Sequence, residues 1–386
     1  MVKLSRWAIL SLILSGVGLA LGMSYLSQQN SSHAESLSLD KSQSSSSKPS
    51  SLSIEQTMPS YDHIFVVVAE NKAYEEIIGS VDAPQLNRLA QAYGLATQFY
   101  GEVHPSEANY IAMLGGDTFG IHDDDAYYCN LGSADPFCPN AKEPGYVSHT
   151  ISAPNLMTQL EKRGLSWKGY FEDLPSPGAD AVVAPSPQRA LYASKHNGFM
   201  NFKSVQSDPK RAQKIVGLDQ FIKDLSSNQA PNYSHIILNQ CHEMHGLAEC
   251  LNPQALIRDG DKAIAALIQK IMASPLWASS KNNAIIVTWD EDDHTANGPQ
   301  GCCGFDPKSA ANFGGGHIAT LVITNHGARK VVDKTPYNHY SLLRTVEAAF
   351  GIQEYLGHAK DSDVGIKSMT PLFRVAKSAG QKLEKM

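Results

Sequence analysis

Two apolar runs in this chain stop abruptly at carboxylates: His63-Ile-Phe-Val-Val-Val-Ala-Glu70-Asn71 and Ala284-Ile-Ile-Val-Thr-Trp-Asp290-Glu291-Asp292-Asp293. A continuous apolar run of this length reads as a strand buried on both faces, as in a parallel sheet. Ligands of open α/β sheets collect beyond the carboxyl ends of strands. Acidic residues at two such ends, far apart in sequence, therefore point to a hard-cation site assembled by folding. Taken singly, either end reads equally well as a solvated strand exit; buried together, the carboxylates need a cation or hydrogen-bond donors.

The rest of the pattern agrees with a layered α/β fold. Strands are expected at 62–69, 95–103, 167–171, 234–239, 283–289 and 317–324, and helices at 83–93, 106–114, 154–163, 260–273 and 340–350. This alternation predicts a three-layer αβα sandwich around a mainly parallel sheet. Gly94, Gly115 and Gly164 stand where helix-terminating glycines are expected. The Pro/Gly-rich stretches 132–147, 174–188 and 294–316 read as insertions near strand ends, where substrate loops sit.

The N-terminus sets the compartment. Lys3 and Arg6 precede an uncharged apolar stretch from Trp7 to Met23, so residues 1–34 read as a signal peptide or signal anchor. Residues 35–58, rich in Ser, read as a disordered linker, with a catalytic domain expected at 59–386. Loss of residues 1–34 removes two positive charges and no negative ones, moving the formal net charge from −6 to −8. An acidic chain without a Lys/Arg block is a poor fit to nucleic acid. Export, with secretion, a periplasmic location or attachment to the membrane through the leader, also suits the six cysteines. Cys129 with Cys138 and Cys241 with Cys250 each bracket a short loop and are expected as local bridges. Cys302 and Cys303 are adjacent; a bond between neighbours closes a strained ring, which leaves pairing elsewhere open. The spacing lacks the CxxC of zinc fingers.

His104-Pro105-Ser106-Glu-Ala-Asn109-Tyr110 follows the second expected strand. Proline favours a helix start, placing Ser106 in a first turn whose free N–H groups favour an alkoxide or a phosphate. An isolated serine there is an ordinary cap; the neighbouring His104 and Asn109 and the two acidic strand ends favour a nucleophile. Histidines gather at similar places: His196, His242, His245, His317 and His339.

The chain resembles the bacterial phosphoesterase family that includes secreted acid phosphatases and phospholipases C and is related to the alkaline-phosphatase superfamily. The resemblance rests on Val67-Val-Ala-Glu70-Asn71-Lys-Ala-Tyr74, His104 to Tyr110, Gly116-Asp-Thr-Phe-Gly120 and Tyr192-Ala-Ser-Lys195-His196. It continues through His242-Glu-Met-His245, Gly260-Asp261, Val287 to Asp293 and Tyr337-Asn-His339-Tyr to Glu347. It implies an alkaline-phosphatase-like fold, with Glu70, Asn71, Asp290 and Glu291 holding one or two divalent metal ions. It further implies Ser106 as the phosphorylated nucleophile, His245 and His196 as acid–base groups, and His104, Asn109, Lys195, His317 and His339 as substrate contacts. His242, Glu243 and Gly246 depart from the family pattern and bear on the metal count. The expected activity is hydrolysis of small phosphomonoesters. A phospholipase C acting on phospholipid diesters is the alternative, with an apolar mouth sought in Tyr127-Tyr128, Trp167 and Phe199-Met200. A non-enzymatic calcium-binding surface protein is a third reading, separated from the others by Ser106→Ala.

Overall fold

The computed structural model describes residues 57–279, 281–293, 300–305 and 314–375. The leader at 1–34, nearly all of the 35–58 linker and parts of 294–316 lie outside these residues. Eleven strands run through them: β1 (His63–Ala69), β2 (Gly94–Tyr100), β3 (Trp167–Phe171), β4 (Val183–Ser186), β5 (Arg189–Ala193) and β6 (Ile215–Gly217) in the first half. β7 (Tyr233–Ile237), β8 (Asn283–Trp289), β9 (His317–Thr324), β10 (Val331–Asp333) and β11 (Tyr337–Asn338) follow.

Nine of them form one sheet in the order β10-β2-β9-β8-β1-β7-β3-β6, with β11 added beside β2. Every pairing is parallel except those of β9, which runs antiparallel to β2 and β8. β1, β7 and β8 lie side by side at the centre, and nearly every one of their residues is buried. Successive strand residues point to opposite faces, so burial of all of them means that both faces are covered. Helices Pro84–Ala92 and Pro253–Met272 pack together, as do Glu107–Gly115 and His339–Ala349. β4 and β5 form a separate antiparallel hairpin. The result is the mainly parallel α/β sandwich that the sequence predicts. Among the described residues no helix is long and apolar enough to cross a membrane.

The six expected strands and five expected helices all form, the strands 167–171, 283–289 and 317–324 with the expected bounds and the others with shifted ones. The largest shift is the helix Pro253–Met272, which begins seven residues before the expected 260. Its start is set by Asn252, whose side chain accepts the Ala255 N–H, and by Pro253 in the first turn. Of the three terminating glycines, Gly164 has the expected left-handed backbone, φ 70°, but Gly116 rather than Gly115 closes the helix at Glu107–Gly115, with φ 74°. Gly94 opens β2 instead; a Cβ there would come 2.9 Å from the Val322 carbonyl oxygen.

Cys129–Cys138 and Cys241–Cys250 are bonded as expected. Cys302 and Cys303 are bonded to each other, because the other four cysteines pair among themselves. Three disulfides fit an oxidising compartment outside the cytosol.

The helix His339–Ala349 buries Glu347, whose Oε1 accepts the Leu356 N–H at 3.0 Å. Burial pushes this carboxyl up to about 8. A raised folded value gives stability that is complete below the unfolded pKa and is lost as pH rises through the folded one. Glu347→Gln keeps the acceptor oxygen. Its melting temperature should match wild type near pH 5 and exceed it near pH 9, roughly one unit above the folded value. Calorimetry at both pH values checks this, and a pH-independent difference counts against it.

Candidate active site

The parallel register brings three strand ends level. Ala69 of β1 lies beside Trp289 of β8, and Val68 beside Ile237 of β7. The next residues are therefore neighbours: Asp290 N–H donates to the Ala69 carbonyl at 3.1 Å, and Glu70 N–H to the Glu243 carbonyl at 2.7 Å. Asn71 turns the chain with φ 55°, a left-handed conformation that Asn tolerates, and its N–H donates to Asp290 Oδ1 at 3.1 Å. Glu70, Glu243, Asp290 and Glu291 are all buried here.

Ser106 sits at the start of the helix Glu107–Gly115, where its carbonyl accepts the Asn109 N–H at 3.0 Å. Its Oγ lies 3.2 Å from Glu291 Oε1 and 3.4 Å from Glu70 Oε2, so it donates into the carboxylate cluster. The loop before it is clamped by Asn109. The side-chain oxygen of Asn109 accepts the N–H groups of Glu102 and Val103, while its Nδ2 donates to the Val103 carbonyl at 2.8 Å and to Glu291 Oε2 at 3.4 Å. His104 lies between Glu291 Oε2 at 2.8 Å and Asp292 Oδ1 at 3.2 Å. Burial opposes a charge on this ring, but the two carboxylates outweigh it and lift His104 to about 9.

Carboxylates crowded out of water resist ionisation. Burial, reinforced by Glu70 and Glu291, holds Asp290 well above the usual range, and burial raises Glu291 to about 7. Burial and the Glu70 charge do the same to Glu243. Asp290 Oδ2 and Glu243 Oε2 find no hydrogen-bond donor. His196 stands with Nδ1 2.7 Å from Glu243 Oε1 and Nε2 3.0 Å from Glu70 Oε1. Burial drives its pKa well below normal, aided by Lys195 and His245, which favours the neutral ring. A neutral imidazole has one N–H, leaving a lone pair that faces a carboxylate oxygen. A shared proton or a shared cation resolves such a contact. Ligand atoms of Glu70, His196 and His245 all lie within 4.8 Å of one another. Oxygen and imidazole donors with unsatisfied buried oxygens suit a divalent cation.

Positive charge enters from one side. Lys195 Nζ lies 2.9 Å from Asp124 Oδ2 and 3.2 Å from His245 Nε2. Asp124 Oδ1 accepts the Glu107 N–H at 3.1 Å, which ties Lys195 to the helix that Ser106 opens. Beneath it, fully buried His149 is held between Glu107 Oε2 at 2.8 Å and Asp123 Oδ1 at 3.1 Å.

Of the residues expected from sequence, Glu70, Asn71, His104, Ser106, Asn109, Asp290 and Glu291 thus converge, with Lys195, His196 and His245 beside them. His317 and His339 do not join this contact network. His317 donates through Nε2–H to the Thr97 carbonyl, 3.0 Å away, and stacks on Tyr74. His339 is buried, with Nε2 3.0 Å from the Trp289 carbonyl, and burial lowers it to about 4. In each ring Nε2 is engaged by a backbone carbonyl. Of the residues in which an apolar mouth is sought, Tyr127, Trp167, Phe199 and Met200 are buried, with Trp167 stacked on Phe199 in the core, and Tyr128 is partly exposed. Asp124 and the Glu107–His149–Asp123 group were not expected as site residues, and Glu243 was singled out only as a departure from the family pattern. The Asp123-Asp124-Asp125 run was the visible signal, but no apolar strand precedes it.

Comparison with known proteins bears on this arrangement. Phosphatidylinositol-3-phosphatase of Mycobacterium tuberculosis is 29% identical over 295 residues, covering 76% of this chain and 79% of its own. The probable acid phosphatase of Kluyveromyces lactis is 24% identical, covering 79% of this chain but 62% of the yeast protein. The phosphate-repressible acid phosphatase of Penicillium chrysogenum is also 24% identical, and 60% of its length is matched. The chain thus spans about three fifths of these fungal relatives. Among solved structures, a protein in the alkaline phosphatase superfamily from Vibrio parahaemolyticus aligns with 79% of this chain and 72% of its own, at 14% identity and a TM-score of 0.49. The Phosphoesterase family profile matches residues 80–353, well over half of the sequence, and the chain belongs to that family of hydrolases acting on phosphoric esters.

Proposed function

We propose that the protein is an exported, metal-dependent phosphomonoesterase that works through a phosphoserine at Ser106. The observation that carries this reading is the position of the Ser106 hydroxyl. It is buried, at a helix start, within 3.4 Å of carboxylates from two strand ends, with Lys195 beside the cluster. Glu70 and His196, with Asp290 and Glu291, would hold the cation, and Asn71 fixes Asp290 from the neighbouring strand end. When bound, the divalent ion supplies charge neutralisation for the phosphoryl oxygens and favours the serine alkoxide.

The residues supply the rest. Glu291 and Glu70 accept the Ser106 proton as its oxygen attacks phosphorus and the alcohol departs. Lys195, beside the cluster, receives negative charge on the transferred group. His245, in contact with Lys195, is placed to exchange a proton with the departing alcohol or the incoming water. Water then cleaves the phosphoserine, releasing phosphate and restoring the hydroxyl. The leader at 1–34 and the disulfides support export, and residues 59–386 would carry the whole site.

Chelation followed by dialysis should remove nearly all turnover of a soluble phosphomonoester. Reloading with single divalent ions should restore it and raise the melting temperature by mass action. Full activity after metal removal, verified by elemental analysis, would sink the metal-dependent reading.

A further inference from the structure

A cleft of about 860 Å³ opens at the same edge of the sheet as Ser106. That volume is within the range of small-molecule sites. Its base is the segment Gly101–His104 leaving β2, the segment that Asn109 clamps to the Ser106 helix. A Cβ on Gly101 would come 2.6 Å from the Asp290 carbonyl oxygen, so the base of the cleft rests directly on the strand end that carries the carboxylate cluster. His104 belongs to both, lining the cleft while its Nδ1 lies 2.8 Å from Glu291 Oε2. The cleft therefore begins where the phosphoryl site ends.

Its walls differ in chemistry from the phosphoryl site. Ile121, Val364, Ile366 and the Cys302–Cys303 disulfide supply apolar surface, with the rings of Phe305 and Tyr340. The polar contribution includes the carboxylates of Asp117 and Asp361, with His358 between them at 3.9 and 2.8 Å. Glu102 is already engaged, accepting from the Tyr340 N–H and from Asn338, each at 3.3 Å. Among the described lining residues there is no Lys or Arg. Lys195, the cation beside the cluster, is not among them. Asp117 and Asp361 present like charge to an anion entering the cleft, offset in part by the imidazoles of His104 and His358, and like-charge juxtaposition selects against such a partner.

We propose that this cleft seats the alcohol portion of the substrate and selects uncharged, ring-bearing alcohols, aryl or nucleoside, over alcohols that carry a second phosphate. The inference rests on the phosphatase reading and assigns the substrate class of the same site. Phosphate is held at Ser106, while the ring lies against Phe305, Tyr340 and the disulfide.

The test compares the metal-loaded enzyme on hydroquinone monophosphate, hydroquinone bisphosphate and methyl phosphate. Wild type should favour the monophosphate over the bisphosphate by at least about tenfold in kcat/KM, and Asp117→Asn with Asp361→Asn should bring the two within about threefold. Val364→Trp places a large side chain at a half-exposed position of the cleft wall, so the fold should tolerate it. It should lower the ratio of hydroquinone monophosphate to methyl phosphate kcat/KM by about tenfold. Equal handling of mono- and bisphosphate by wild type, or an unmoved ratio in Val364→Trp, overturns the assignment. Absence of turnover on every ester overturns the phosphatase reading and this inference with it.

Discussion

Ser106→Ala should lower kcat by at least about 10³-fold while leaving the protein folded, because the nucleophile is lost and its neighbours remain. The hydroxyl is the only serine oxygen shown within hydrogen-bond distance of Glu70 and Glu291 among the described residues. The methyl group left behind fits a buried position at a helix start, so circular dichroism and the melting temperature should stay close to wild type. Two measurements separate a nucleophile from a mere hydrogen-bond donor. Acid-quenched wild type, mixed with phosphorus-labelled substrate, should carry label on the peptide that contains Ser106; the alanine enzyme should carry none. Substrate affinity measured with an inert phosphate analogue should change far less than kcat, since Lys195 remains. Retention of a tenth of the turnover, or label on another residue, would remove Ser106 from the role.

How far the sequence reveals such a site depends on which residues are held by regular structure. β1 and β8 are legible because burial on both faces demands unbroken apolar runs, and the residue after each run must then emerge at the sheet edge. Glu70 and Asp290 are identified in this way before any coordinates exist. β6, β10 and β11 span two or three residues and owe their form to the strand they pair with, which no local pattern records. The β4–β5 hairpin runs through Pro185, a residue that argues against a strand. Glu243, noticed only as a departure from the family pattern, is hard to place for a related reason. It lies in a loop after β7, and its burial against His196 comes from the loop folding back over Glu70. His339 shows what residue type alone does not reveal: its ring is buried with Nε2 at a backbone carbonyl, a contact set by the packing of its helix against β8.

The second large effect is expected at Asp290, where stability and activity should move in opposite directions. In the metal-free protein Asp290 is buried beside Glu70 and Glu291, and its Oδ2 has no donor. Asp290→Asn keeps the Oδ1 that accepts the Asn71 N–H and removes one negative charge from the cluster. The metal-free variant should therefore melt about 2 °C or more above metal-free wild type, a gain of about 1 kcal/mol for a domain of this size. The difference has a definite pH dependence. Carboxyls with raised folded pKa values contribute full stability below their unfolded values and lose it as pH rises through the folded ones. Glu291 is raised to about 7 and Asp290 is raised as well, so metal-free wild type should weaken across that interval. The variant should weaken less, having one fewer group to ionise. Adding the metal should reverse the order, because wild type regains the cation its carboxylates require and the amide is a poorer ligand. Turnover of the reloaded variant should fall by at least about 10²-fold. Calorimetry with and without metal, at two pH values, gives four melting temperatures for each protein. A metal-free variant less stable than metal-free wild type at neutral pH would mean that Asp290 is neutralised by a partner inside the fold and is not waiting for a cation.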